Sequence, residues 1–97
     1  MTVINKYSFD TRSNTGITSG DILEIAMPVE AKLLSIGVQE EQLVFWALVD
    51  MDKPMIYRMF RLFLTGEKFE GPLQGYYFGS AKIGYLVWHV FDIGEKP

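Results

Sequence analysis

The stretch Leu43-Val44-Phe45-Trp46-Ala47-Leu48-Val49-Asp50 is apolar on both parities, centred on a tryptophan and closed by an aspartate. A run of this length, rich in valine and aromatic residues, reads as a buried strand rather than a helix, which needs at least about 10 residues. Apolar residues on both faces predict a central strand covered on both sides. A second run, Leu86-Val87-Trp88-His89-Val90-Phe91-Asp92, has the same form. The two tryptophans lie 42 residues apart, within the roughly 40–45-residue period of propeller blades. Two copies cannot close a propeller, so the pattern is read as two core strands meeting the same packing demand.

Working outward, Leu34, Ile36 and Val38 alternate with Leu33, Ser35, Gly37 and Gln39, the signature of a half-buried strand. Gln39-Glu40-Glu41-Gln42 lacks the Asn-Gly type of pair that a tight hairpin prefers, which predicts a four-residue connection. Met51-Asp52-Lys53-Pro54 is a turn, and residues 55–64 follow as a long strand carrying Tyr57, Phe60 and Phe63. Its aromatics and the bracketing Pro54 and Gly66 favour strand over helix. Residues 76–82 and 85–93 form a second hairpin around Ile83-Gly84. Upstream, residues 3–9 and 22–27 read as strands, the latter stopped by Pro28, which has no N–H for a central ladder. Residues 10–20 form a polar loop, and residues 65–75, with Gly66, Gly71, Pro72 and Gly75, a glycine-rich one. The expected fold is all-β: one domain over residues 1–97, with about seven antiparallel strands in a small sandwich or open barrel.

Composition narrows the function. The chain has 97 residues, 48% of them hydrophobic and 14% aromatic, ample for a packed core in a small domain. It has no cysteine, hence no disulfide framework and no thiolate metal site. A net charge of -3 argues against duplex nucleic acid as a partner. No apolar run approaches the roughly 20 residues of a membrane span, and the N-terminus lacks the features of a signal peptide. A cytoplasmic, soluble protein without a membrane partner is the expectation.

No H-E-x-x-H, G-x-S-x-G or G-x-x-x-x-G-K-[ST] pattern occurs, so the expectation is no enzyme, no metal and no cofactor. His89, the single histidine, shares a parity with Tyr85, Val87 and Phe91, whereas Trp88 shares one with Leu86, Val90 and Asp92. Asp50 and Asp52 read first as turn formers, although paired carboxylates can also do acid–base work. Arg58 and Arg61 stand in a largely apolar strand on opposite parities. A half-buried arginine needs an internal carboxylate, here Asp50 or Asp92, or a bound anion. Tyr76-Tyr77-Phe78 covers both faces of its strand, leaving an aromatic outward that suits base stacking or a subunit interface. Assembly into a homo-oligomer would add buried area to a small domain.

Gly20-Asp21-Ile22, Met27-Pro28, Ala31-Lys32-Leu33-Leu34-Ser35, Trp46-Ala47-Leu48-Val49-Asp50, Arg58, Phe60, Thr65-Gly66 and Leu86-Val87-Trp88-His89-Val90-Phe91 together give a pattern over residues 20–92. It resembles a family of small phage and prophage proteins with a domain of unknown function. The chain departs from that family in two places: Glu40-Glu41 replaces a typical Asn-Gly turn, and Glu67 stands where a histidine often follows Thr-Gly. The resemblance implies a phage protein in the host cytoplasm that acts by binding, as do the sponges that soak up nucleotide immune signals. Its ligand would be a small anionic nucleotide, with Trp46, Arg58, Arg61, Trp88 and His89 as candidate contacts. The alternative is a protein-binding accessory or inhibitor protein without a pocket.

Overall fold

A computed structural model describes residues 1–9 and 19–97. Most of the expected polar loop, residues 10–18, lies outside the described residues. The regular elements described are seven strands: β1 (Thr2–Ser8), β2 (Ile22–Pro28), β3 (Lys32–Gln39), β4 (Gln42–Asp50), β5 (Met55–Leu64), β6 (Tyr76–Ile83) and β7 (Leu86–Glu95). All pairings are antiparallel. They build a three-stranded sheet in the order β1-β4-β3 and a four-stranded sheet in the order β2-β5-β7-β6. The two sheets face each other as a small open sandwich, and the edge strands β3 and β6 come together along one side.

Alternation sorts the residues between core and surface. From the three-stranded sheet Leu43, Phe45, Ala47 and Val49 point inward, and from the four-stranded sheet Phe60, Leu62, Trp88 and Val90 meet them. Phe45 lies at the centre. Its ring is stacked with Tyr7 at 5.3 Å and tilted against Phe9 at 4.8 Å and Phe60 at 5.1 Å, and Phe78 meets it edge-on at 5.8 Å.

Two expectations are corrected. β4 is central, but only its inner face is covered by a second layer. On its outer face Val44 is buried, Trp46 is half-buried and Leu48 is exposed. A two-layer sandwich leaves each sheet one outer face, and Trp46 shields its own by lying over Gly37, where an added Cβ would come within 2.8 Å of the indole. Apolar parity on both faces therefore marked a tryptophan flattened onto a glycine, not a third layer.

The second correction is the β3–β4 connection. Gln39 pairs directly with Gln42, leaving a two-residue turn, Glu40-Glu41, in which both residues have positive φ, 52° and 61°. This backbone matches the twist of a hairpin, yet it crowds the Cβ of any residue but glycine, at about 1 kcal/mol or more per position. Glu40→Asn with Glu41→Gly is expected to stabilise the fold by about 1–2 kcal/mol, seen as a higher urea midpoint with an unchanged slope.

Candidate functional site

The outer face of the four-stranded sheet carries a second aromatic cluster, separate from the core. Register decides its membership. Arg61 lies opposite Phe91 and Phe63 opposite His89 across β5 and β7, and Tyr77 of β6 lies opposite Phe91. Opposed residues share a face, so Arg61, Phe63, Tyr77, His89 and Phe91 form adjacent rows. Thr65 ends the β5 column. The row Arg61–Phe91–Tyr77 crosses two strand spacings, roughly 10 Å between backbones.

The 65–75 loop closes over this face. It leaves β5 through Gly66, whose φ is +87°, with the Glu67 N–H donating to the Leu64 carbonyl at 3.2 Å. Phe69 then folds back onto Phe63 with ring centres 4.8 Å apart. The loop rejoins the sheet at Gly75, where φ is +92° and an added Cβ would collide with the Asp92 carbonyl. Between loop and sheet lies a cavity of about 280 Å³ lined by Phe63, Thr65, Glu67, Phe69, Leu73, Tyr77, His89 and Phe91. Phe91 stands edge-on to both Phe63 and Tyr77, at 5.9 and 5.3 Å. Aromatic surface dominates, and a short polar chain crosses it.

That chain runs through the imidazole of His89. Its Nε2 is 2.6 Å from Thr65 Oγ1, and its Nδ1 is 2.9 Å from the Tyr77 hydroxyl. Thr65 Oγ1 is also 3.5 Å from the Val87 carbonyl, a long contact. Both ring nitrogens are engaged, which fixes the ring's orientation.

A second cavity, of about 290 Å³, lies on the same face at the other side of the loop and is lined by Ile22, Arg61, Glu70, Gly71, Pro72, Gln74 and Ile93. Arg61 lines this second cavity and lies over the Phe63 ring, which lines the first. Its Nε donates to the Gly20 carbonyl at 2.9 Å, and its guanidinium lies 4.9 Å from the centre of the Phe63 ring. Among the described residues the other two guanidinium nitrogens have no hydrogen-bond partner. Anchored at one nitrogen and lying over the Phe63 ring, Arg61 has a geometry that suits an anion at its remaining donors.

The other sequence candidates lie elsewhere. Arg58 is on the inward parity of β5, where it forms a two-pronged pair with Asp92, Nε to Oδ1 at 2.9 Å and Nη2 to Oδ2 at 2.6 Å, while Nη1 donates to the Ala31 carbonyl at 2.9 Å. The hydrogen bonds it donates to Asp92 hold the Arg58 guanidinium above the ordinary arginine range. Trp88 is buried in the core, and Trp46 is on the outside of the opposite sheet. Of the five residues singled out by sequence, only Arg61 and His89 share a surface. The Asp50 carboxylate, at the end of β4, accepts from the Asp52 backbone N–H at 3.0 Å and from the N-terminal ammonium at 3.0 Å. The first of these contacts is the larger cause holding its carboxyl below the usual range. It closes a turn, and Asp52 meets the same ammonium.

Sequence reasoning left out Phe63, Thr65 and Phe69 as site residues and marked Tyr77 only as one of three consecutive aromatics. The signal available was parity: Arg61, Phe63 and Thr65 alternate on one side of β5, as His89 and Phe91 do on β7. Joining the two sets requires the register between strands.

Among known families, a domain of unknown function (DUF7352) matches residues 1–96. The chain belongs to this family. The match covers nearly the whole chain, as a domain of unknown function. No curated protein and no solved structure matches it. In this DUF7352 member Glu67 lies on the wall of the aromatic cavity and places a carboxylate at the cleft.

Proposed function

We propose that this protein is a non-enzymatic phage binding protein that sequesters a small anionic nucleotide, of the kind that serves as a host immune signal. The observation that carries the reading is Arg61, which lines one of two neighbouring cavities on one face, lies over the ring of Phe63 and has two guanidinium nitrogens without a partner among the described residues. An anion suits the donors, and the faces of Phe69, Phe91 and Tyr77 suit a planar base, whose stacking on aromatic side chains contributes about 1–3 kcal/mol. Glu67 on the aromatic cavity disfavours an anion there, and Arg61 lines the neighbouring cavity together with Glu70, so the phosphate end belongs at the guanidinium. Arg58 is excluded from the contacts because its donors are already taken by Asp92 and Ala31.

Thermal-shift and calorimetric screening against cyclic dinucleotides and cyclic ADP-ribose variants tests this. The melting temperature is expected to rise with ligand concentration, and Arg61→Ala is expected to weaken binding at least 10-fold. A second reading, a protein-binding accessory or inhibitor protein, draws support from the outer face of the three-stranded sheet, where Ile4, Leu34 and Leu48 are exposed beside Trp46. A homo-oligomer by light scattering accompanies the first reading. A monomer that responds to no nucleotide would leave the second.

A further inference from the structure

We infer that β1 is a contact between two copies of this chain, paired antiparallel about a two-fold axis at Ile4, so that their three-stranded sheets join into one of six strands. The contact lies on the sheet opposite the cleft and does not depend on nucleotide binding.

Backbone parity opens this edge. The Phe9 N–H donates to the Leu43 carbonyl at 3.0 Å, and the Met51 N–H donates to the Met1 carbonyl at 2.8 Å. Both bonds continue the β1–β4 register, and bonded pairs alternate with unbonded ones along an antiparallel ladder. Val3, Asn5 and Tyr7 therefore bond to β4, while Thr2, Ile4 and Lys6 turn their N–H and C=O groups to the outer edge. Among the described residues no strand pairs with that edge. The other outer edges are protected. β3 and β6 cover each other, and β2 ends in Pro28, which has no N–H, and carries the Glu24–Lys96 ion pair at 2.9 Å. β1 runs seven residues with neither proline nor bulge. An edge of that kind is a template for another strand.

The side chains select a second copy. A two-fold pairing that joins the outward groups must set even residues against even ones, which puts the axis on a residue. An axis on Lys6 opposes two lysines directly, and one on Asn5 or Tyr7 leaves them about 7 Å apart along the strand, inside the screening length of roughly 8 Å. An axis on Val3 shortens the overlap and sets Ile4 against Thr2. On Ile4 the axis leaves the lysines about 14 Å apart, and Ile4, 63% exposed, meets its own counterpart. Leu48 lies opposite Ile4 on the outer face, so one apolar row of two isoleucines flanked by two leucines crosses the axis. Lys6 then faces Thr2 of the second copy, in the row that Thr2 shares with Asp50. Its contact within one chain, Gln39 Oε1 at 2.7 Å, is exposed and neutral; the row across the axis offers it a carboxylate instead.

Sedimentation equilibrium and amide hydrogen exchange on the full chain test the inference. A strand-edge contact lies at the weak end of specific interfaces, so the dimer is expected to grow from a minority at about 10 μM to the majority at about 1 mM. Over that range the amides of Ile4 and Lys6 should pass from fast to slow exchange, while those of Val3, Asn5 and Tyr7 stay slow throughout. Ile4→Lys, at an exposed position, opposes like charges across the axis and is expected to weaken the dimer at least 10-fold with an unchanged circular dichroism spectrum. A chain that stays monomeric over the whole range would overturn the inference, and if it still binds nucleotide it overturns this contact alone. So would a dimer that survives Ile4→Lys, or slow exchange at Ile4 in the dilute monomer, which would mean that another segment of the same chain covers the edge.

Discussion

Replacing Phe45 with alanine is expected to destabilise the fold by about 3–5 kcal/mol, the cost of emptying a fully buried aromatic site. Among the described residues no other aromatic ring meets as many other rings. Phe45 is wholly inaccessible, and it touches Tyr7 of β1, Phe9 after it, Phe60 of β5 and Phe78 of β6. The residual cavity would sit between the two sheets, lined by aromatic rings whose positions are set by strand pairing and cannot collapse freely. Domains have only about 5–15 kcal/mol of total stability, so the loss is a large fraction of it. Urea unfolding followed by tryptophan fluorescence should show a much lower midpoint or no folded baseline. A change below about 1 kcal/mol would mean that the sheets do not meet through this ring.

Asp92→Ala is expected to cost about 2–4 kcal/mol, because it strands the Arg58 guanidinium at the inward end of the sandwich. The two side chains retain 14% exposure each, which places the pair below the cost of a fully buried one. Two effects add to the loss of the two-pronged contact. Arg58 remains tied to the Ala31 carbonyl, so it cannot easily swing into water, and the Gly94 N–H loses its acceptor, Asp92 Oδ1 at 3.0 Å. Arg58→Met combined with Asp92→Leu should recover part of the stability, since the burden in the single variant is an unpaired charge rather than a missing attraction. The raised Arg58 value means that, while Asp92 is ionised, its contribution is complete below the ordinary arginine range and is lost on the alkaline side only in strong alkali. Single and double variants measured by urea denaturation give the coupling directly. A single-variant loss under about 0.5 kcal/mol would show the pair to be a surface contact.

Strand positions were legible because each has its own local signal. β4 announces itself by apolar residues on both parities, β2 ends where Pro28 lacks an N–H, and β5 is bracketed by Pro54 and Gly66. Parity correctly separated Trp88 from His89 and Arg58 from Arg61. It could not say which set would be covered by the second sheet and which by a loop, since that depends on pairing between distant strands. The Glu40-Glu41 turn was misread because glutamate seldom takes a positive φ, so nothing in the pair advertises a two-residue hairpin. The cleft was hidden for a further reason. Phe69 and Leu73 sit in a loop whose composition signals irregular structure but not the direction of its fold, and only the return at Gly75 lays those side chains over β5 and β7.

The most direct test of the proposed function is a titration of nitrogen-15-labelled protein with cyclic dinucleotides and cyclic ADP-ribose variants, followed amide by amide. The account predicts concentration-dependent shifts confined to residues 61–66, 74–77 and 89–93, with none at Gly37 or Trp46 on the opposite sheet, and their loss in Arg61→Ala. No shifts at millimolar nucleotide, or shifts centred on Trp46 and Leu48, would contradict it.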